Sequence, residues 1–343
     1  MYQLVIIGAG PAGMTAGVYA ARKGLTPLVI SEDIGGQANW TKNVENYMGF
    51  TDIDGSELMD RFKEHMDAQR LTYDKCRVKE IRRGNNGSDN GGDFVIECDN
   101  GKEYQGRALI IATGKHPRML HVPGEAEFRG KGISYCATCD APLFRNASTA
   151  VIGGGNSGVQ AAYDLLQLGA EVHLITDESI TADSALVEKI AGHPKLRIYE
   201  GHHVRRIEGD KMVEGITISG SAAGADSAAG ADSATGADSA AGADSATGAD
   251  SAAVTPEICL PVAGVFVEIG LEPNSQILGD IPQLKLNDDR EITVDCQCRT
   301  GIDGLFAAGD VTDVYGKQII IAAGEGAKAA LAASEYLLYN GGV

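Results

Sequence analysis

Hydrophobic and polar positions along this chain spell the same short phrase twice. Residues 3–7 form a compact apolar run of strand type, Gly8-Ala-Gly-Pro-Ala-Gly13 is a tight turn, and residues 14–23 have the Ala-rich pattern of a helix, closed by Gly24 before a strand at 28–31. Residues 150–152, the turn Gly153-Gly-Gly-Asn-Ser-Gly158, residues 159–168 with Gly169 as the stop, and residues 171–175 repeat that order. Each copy is a βαβ unit. Between them, residues 108–111 and Ala112-Thr113-Gly114 read as a buried strand and turn, and His116-Pro117 as a hinge leading into a second domain. Strand-type runs return at 264–269 and 304–308, and residues 324–338 read as an Ala-rich closing helix, so the end of the chain can complete the first domain.

One segment follows neither period. Residues 224–253 repeat Gly-Ala-Asp-Ser-Ala-(Ala/Thr) five times without one large apolar side chain, so burial has nothing with which to offset the entropy of ordering it. A β-solenoid with this repeat would need a bulky inward residue in each turn. The low-complexity stretch 220–253 is therefore expected to be a disordered loop at the tip of a hairpin between strands around 216–218 and 258–260.

Composition narrows the partners. Lys and Arg number 29 against 47 Asp and Glu, a net charge of −18 that repels phosphate backbones and anionic lipid heads, which excludes nucleic acid as an expected partner. Five of the acids, Asp226, Asp232, Asp238, Asp244 and Asp250, lie in the hexad tract. The first apolar run, residues 4–7, is a strand and not a leader, and no run approaches the ~20 apolar residues of a membrane span, so a soluble protein is expected. Seven scattered cysteines are no secreted disulfide framework and point to a reducing cytoplasm.

Candidate chemistry starts from the glycines. One Gly-x-Gly-x-x-Gly also marks plain turns, but two copies in strand-turn-helix context point to dinucleotides. Gly8, Gly10 and Gly13, and again Gly153, Gly155 and Gly158, let a pyrophosphate approach the backbone where a helix N-terminus offers free N–H groups. Glu32 and Asp177 each stand 24 residues beyond the first glycine of their copy, where an acid accepts from ribose hydroxyls. Gly309-Asp310 ends the run 304–308 with an acid suited to a ribityl or ribose hydroxyl, although loop acids more commonly cap helices. Lys317-Gln318-Ile319 and a helix start at Gly324-Glu325-Gly326 offer a cation and N–H groups to the negative charge of a reduced flavin.

Just ahead of the second loop stands Cys136-Ala-Thr-Cys139-Asp140. Two cysteines at this spacing can close a small disulfide, and a nearby charge or helix N-terminus can hold one as the thiolate that attacks another disulfide. Half a zinc site is the rival reading. It needs a second pair, and Cys296 and Cys298, far away at Cys-x-Cys spacing, are better read as same-face strand residues, so no metal is expected. Cys76, Cys98 and Cys259 read as core residues and His202-His203 as a solvated turn.

Together GAGPAG, Gly35-Gly36-Gln37, Val44-Glu45-Asn46-Tyr47, ATG at 112–114, CATCD, GGGNSG, GLFAAGD and KQIIIAAGEGAKAA resemble the low-molecular-weight thioredoxin reductases and the reductase portion of the alkyl hydroperoxide reductase flavoproteins. The match covers nearly all of the chain outside the hexad tract. It implies an α/β protein of two Rossmann-like, three-layer domains: an FAD-binding domain from 1–116 and 264–343, and an inserted NAD(P)-type domain at 117–263 that carries the dithiol. A homodimer is implied as well. By resemblance Cys139 is the thiol nearest the flavin, Cys136 attacks the disulfide of a thioredoxin-like protein, and Asp140 is the acid–base group. FAD contacts are implied for Gly8, Gly10, Gly13, Glu32, Gly35, Gly36, Gln37, Asn46, Thr113, Gly114, Gly309, Asp310, Lys317, Gln318 and Ile319. NAD-type contacts are implied for Gly153, Gly155, Asn156, Gly158 and Asp177. The dithiol domain is expected to rotate between partners about hinges near 113–117 and 263–265.

The chain departs from that family where NADPH-using members carry basic residues for the 2′-phosphate. Here residues 175–183 contain none, and Asp177 and Glu178 would oppose a dianion at a cost of about 1–4 kcal/mol. NADH is thus expected over NADPH. Reduced ferredoxin or a reduced deazaflavin is an alternative donor, with Arg77, Lys79, Arg82 and Arg83 as a receiving patch, while Arg129 and Lys131 resemble positions that seat thioredoxin. Since the chain starts at its first βαβ strand, it is expected to pass electrons to a separate protein. Two rivals stay open: a ferredoxin/flavin-NADP-reductase-like flavoprotein that does not use the dithiol, and a non-catalytic redox sensor.

Overall fold

The computed structural model describes residues 1–84, 93–220, 256–279, 281 and 283–340; the hexad tract lies outside the described residues. Two compact units make up the chain, Met1–Arg118 with Gly270–Val343, and Met119–Ile269.

In the first unit Tyr2–Ile7 pairs in parallel with Leu28–Ser31 on one side and Glu103–Ile111 on the other. Thr72–Lys75 extends one edge in parallel, and Phe94–Cys98 and Val78–Arg83 extend the other as antiparallel strands. Leu305–Ala307, from the second segment, pairs in parallel with Glu103–Ile111 and completes a seven-stranded sheet. Residues 4–7 of the strand Tyr2–Ile7 are apolar without a break because both faces are covered there. Leu4 and Ile6 pack with Ala12, Ala16, Ala329 and Ala333 of the helices Pro11–Arg22 and Ile319–Asn340, while Val5 and Ile7 point the opposite way into a cluster with Phe94, Ile96 and Leu305.

The second unit repeats the scheme on a smaller scale. Its five-stranded parallel sheet runs Leu196–Glu200, Glu171–Thr176, Ser148–Ile152, Gly264–Val267 and Ile133–Ser134. Val151 faces Val159, Ala162 and Leu165 of the helix Asn156–Gln167, whereas Ala150 and Ile152 face Ile207, Ile216 and Leu260 of an antiparallel sheet. That sheet joins His202–Gly209, Val213–Gly220 and Glu257–Pro261, with Ile216 opposite Leu260 and Ile218 opposite Ile258, the pairing expected around the hexad tract.

Several local readings change. The last helix starts at Ile319, not at 324, and the Ala322 N–H already bonds to Gln318 O, so Gly324 and Gly326 lie inside it and offer no free N–H groups. Gly326 has a packing role instead: a Cβ there would stand 2.0 Å from the Ala12 carbonyl oxygen of the facing helix. Cys296 and Cys298 occupy a turn closed by Cys298 N–H to Asp295 O, one exposed and one buried, so they share no strand face. Cys76 and Cys98 are core residues with sulfurs 2.9 Å apart, but Cys259 is exposed because it alternates with inward Leu260 on a strand at the edge of its sheet. Residues 115–117 form a strand paired with Leu271–Pro273, and 264–267 lie within the parallel sheet.

The helix contact gives a paired test. Gly326→Ala should lower stability by about 1–3 kcal/mol, because a backbone oxygen must move. Gly324→Ala, with nothing within 4 Å of its added Cβ, should raise it by roughly 0.5–1 kcal/mol. Urea melts of both variants measure the difference, and equal effects would refute the packing role.

Candidate dinucleotide and dithiol sites

In the first unit the glycine loop is built by close backbone approach. Gly8 donates its N–H to Ile30 O at 2.8 Å, and a Cβ on Gly13 would stand 1.8 Å from Gly8 O, so the helix N-terminus is docked tightly onto the strand end. Gly10, the N-cap, has open space beside its Cα. Gly35 donates to Ala9 O at 2.8 Å and Gly36 stands against Gly10, which brings the Gly35-Gly36-Gln37 turn over the loop. Glu32 follows the second strand, exposed, 4.0 Å from Arg77 Nε.

Other expected residues converge at the same sheet. The Gln37 amide donates to Lys115 O, and Asn46 donates to Gln318 Oε1 at 3.0 Å. Thr113 and Gly114 are clasped by Asn274, which accepts from the Thr113 hydroxyl at 2.8 Å and donates to Thr113 O at 2.7 Å and Gly114 O at 2.9 Å. Gly309 donates to buried Glu325 Oε2 at 3.2 Å. Asp310 is half-buried and makes no hydrogen bond among the described residues; burial pushes its carboxyl above the usual range, against the pull of Lys317 and Lys115. Lys317 reaches Thr312 O and lies 3.2 Å from Glu291, which also pairs with buried Lys115. Ile319 opens the last helix. Sequence reasoning misses Asn274, Lys115 and Glu291, since a lone polar residue in a loop carries no pattern. Open space at Gly10, an acid without a protein partner at Asp310 and a cation at Lys317 fit the phosphates and hydroxyls of FAD.

The dithiol belongs to the second unit. Cys136 and Cys139 form a disulfide with Cα atoms 5.3 Å apart, Cys136 capping the short helix Ala137–Asp140. Buried Ser134 organises the turn. Its Oγ accepts from Cys136 N–H at 3.1 Å and donates to Asp140 Oδ2 at 2.6 Å. Burial raises the Asp140 carboxyl above the usual range, and the Ser134 bond only partly opposes this. On another side Glu268 Oε1 accepts from Ala137 N–H at 3.2 Å, and burial pushes the Glu268 carboxyl up to about 7. Ser134 and Glu268 escape a sequence reading too, because both sit within or beside apolar strands.

The second glycine loop copies the first, with a Gly158 Cβ falling 2.0 Å from Gly153 O and open space beside Gly155. Asn156 is engaged with Asp183 in both directions, at 3.0 and 2.8 Å, and lines a cleft of about 400 Å³ with Gln160 and Lys189. Asp177 is exposed just past its strand, with His203 Nδ1 2.9 Å from its carboxylate. His203 is therefore a strand residue beside Asp177 and not part of a solvated turn. Arg129 is half-buried and bonded to Tyr135, whereas Lys131 is exposed. The expected ferredoxin patch is already paired: Arg77 with Glu32, Lys79 with Glu97, Arg82 with Glu103, and Arg83 with Asp303 O. Among the described residues no group of three His, Cys, Asp or Glu could hold a metal ion, and no helix is long and apolar enough to cross a membrane.

Two Rossmann-like units, one inserted in the other and carrying a Cys-x-x-Cys disulfide, define a dinucleotide-dependent disulfide oxidoreductase. The chain belongs to the pyridine nucleotide-disulphide oxidoreductase family, whose model matches residues 2–326. It is 35% identical over 341 residues to the alkyl hydroperoxide reductase F protein of Staphylococcus aureus (strain MSSA476) and 37% identical over 341 residues to that of Pseudomonas putida. These matches cover 99% and 98% of this chain but 60% and 58% of the relatives, so the chain spans well under two thirds of their length. A solved thioredoxin reductase from Streptococcus pyogenes MGAS5005 superposes with a TM-score of 0.83 at 29% identity, over 99% of both chains.

The raised Asp140 carboxyl makes a signed prediction. Its folded state binds the proton more tightly than the unfolded state, so its contribution is favourable at low pH and is lost as pH rises through the folded value. Asp140→Asn should therefore gain stability relative to the native chain at pH 8 and show a smaller gain at pH 4. Urea melts at the two pH values check this; a larger gain at pH 4 would contradict it.

Proposed function

We propose that this chain is an FAD-dependent protein-disulfide reductase of thioredoxin reductase type, which passes electrons from a reduced nicotinamide donor through FAD and the Cys136/Cys139 pair to a thioredoxin-like protein. The observation that carries this reading is the Cys136–Cys139 disulfide, closed at the start of a turn that also carries Asp140, an acid whose proton affinity burial raises. FAD, when bound, supplies the exchange of an electron pair between a hydride donor and a disulfide. Gly8, Gly10, Gly13, Glu32 and Asp310 would hold it through phosphates and hydroxyls, with Lys317 as the nearby cation.

In the reduced chain, Cys136 as thiolate attacks one sulfur of the partner's disulfide and forms a mixed disulfide, and the partner's other sulfur leaves as a thiolate that takes a proton from water. Cys139 then loses its proton and attacks Cys136 Sγ, the partner's remaining sulfur leaves as a thiol with a proton from Asp140, the Cys136–Cys139 bond closes again, and the Cys139 proton restores Asp140. Cys139 is the thiol assigned to the flavin side. The family and the two thioredoxin-reductase-like units support this reading, and the relatives named for alkyl hydroperoxide reduction favour a partner that serves peroxide reduction. A cytoplasmic homodimer accompanies the reading; exposed Leu331, Leu338 and Tyr339 on the last helix suit a subunit interface.

NADH is the favoured donor. Asp177, exposed beyond its strand, suits ribose hydroxyls, and no Lys or Arg stands in 175–183 to hold a 2′-phosphate. The ferredoxin alternative loses its receiving patch to the ion pairs described above.

Turnover assays on the FAD-loaded chain test these assignments. Cys136→Ser and Cys139→Ser should each abolish thioredoxin reduction, by at least about 10³-fold, while FAD stays bound; residual turnover near the native rate would end the dithiol mechanism. In the native chain NADH should bleach the flavin faster than NADPH, and Asp177→Ala should narrow that preference by about 10-fold through loss of the opposing charge. An unchanged NADH to NADPH ratio in Asp177→Ala would show that this acid does not select the donor.

A further inference from the structure

Glu268 stands immediately after the strand Gly264–Val267, and its two ends serve different sites. Its backbone belongs to the nucleotide loop: the N–H donates to Ile152 O at 2.8 Å, the carbonyl accepts from Ser157 Oγ at 3.3 Å, and a Cβ on Gly153 would fall 2.3 Å from that carbonyl oxygen. Its side chain belongs to the dithiol: Oε1 accepts the N–H of Ala137, the residue directly after Cys136, at 3.2 Å. No Lys or Arg pairs with this carboxyl among the described residues. The charge that acts on it is that of Asp164, on the packed helix Asn156–Gln167, and it is of like sign, while Asp140 on the dithiol turn is bonded to Ser134. An acid in this place fixes the turn by one hydrogen bond and also sets a titratable charge one peptide away from a sulfur.

We propose that Glu268 is a positioning residue that controls the ionisation of the reduced dithiol: its carboxylate opposes the neighbouring thiolate, and its neutral acid permits it. The inference rests on the reading of Cys136 and Cys139 as a redox pair. The two negative charges compete in low-dielectric surroundings, so whichever forms first disfavours the other. When a dithiol reductant delivers two electrons, the Cys136–Cys139 bond breaks and two protons are taken up. Where Glu268 starts as its carboxylate, one goes to a cysteine sulfur and the other to Glu268, and the second sulfur remains as thiolate; the reductant closes to its own disulfide and releases the two protons. Burial has already brought Glu268 to about 7, which places this exchange in the neutral range. The coupling is reciprocal, so the thiolate also raises the affinity of Glu268 for its proton.

The test uses the full-length FAD-loaded chain, reduced with dithiothreitol and freed of it, with the rate of iodoacetamide alkylation at Cys136 followed by peptide mass mapping from pH 5 to 9. Glu268→Gln keeps a carbonyl oxygen for the Ala137 N–H but carries no charge. Its alkylation profile should shift to lower pH by about one unit, with alkylation at pH 7 faster by up to about 10-fold. A profile that overlays the native one, or moves to higher pH, overturns the proposal. A measurement on the native chain guards against a variant that fails to fold: the infrared difference spectrum on reduction at pH 7 should gain a protonated-carboxyl band that persists in Asp140→Asn, and absence of that band also overturns the proposal. If the reduced native chain yields no alkylatable Cys136, the redox reading of the pair falls together with this proposal, whereas an unshifted Glu268→Gln profile removes this proposal alone.

Discussion

Two carbonyl oxygens, those of Gly8 and Gly153, occupy positions that a Cβ at residues 13 and 158 would need. This contact holds each helix N-terminus against the end of its strand. The N–H groups of the helix start, the acid beyond the second strand and the following glycine turns are then fixed relative to one another without specific side-chain contacts. Both units inherit the same constraint, which is why one chain can hold two nucleotide-type loops of the same geometry. Around the first loop the remaining parts are imported from distant sequence. Gly35 reaches Ala9, Asn274 clasps Thr113 and Gly114, and the last helix packs Gly326 onto Ala12.

The dithiol turn depends on the second loop in a different way. Gly153 leaves room for the Glu268 carbonyl, so the strand end that carries Glu268 runs directly beneath the loop and sends its side chain to Ala137. Ser134, from the neighbouring strand, holds the other end of the turn through Cys136 N–H and Asp140. Two carboxyls with raised proton affinity therefore flank one disulfide, each tied to a different sheet strand. An acid of raised proton affinity holds its proton in a larger share of molecules than an ordinary surface acid, and so is better placed to give it to a departing thiolate.

Much of this is legible in the sequence because glycine turns and apolar periods are local signals. Both βαβ units, the pairing of 216–218 with 258–260, and the family are readable from residues 3–31, 150–175 and the motifs between. What the sequence misplaces is set by tertiary context. Gly324 and Gly326 read as a helix opening, whereas they lie inside the last helix and one makes a close helix contact. Cys296 and Cys298 alternate like strand residues but sit in a turn, and the basic residues from Arg77 to Arg83 look like a patch only until their acidic partners are seen. His203 meets Asp177 from a strand 26 residues away in sequence, and Glu268 meets Ala137 across 131 residues. No local pattern announces either contact.

The most direct test counts electrons. Anaerobic reductive titration of the FAD-loaded chain should consume about four electrons per bound FAD, two for the flavin and two for the Cys136–Cys139 disulfide, and about two when both cysteines are replaced by serine. Consumption of only about two by the native chain would mean that the disulfide does not exchange electrons with the flavin, and the account would be contradicted at its centre.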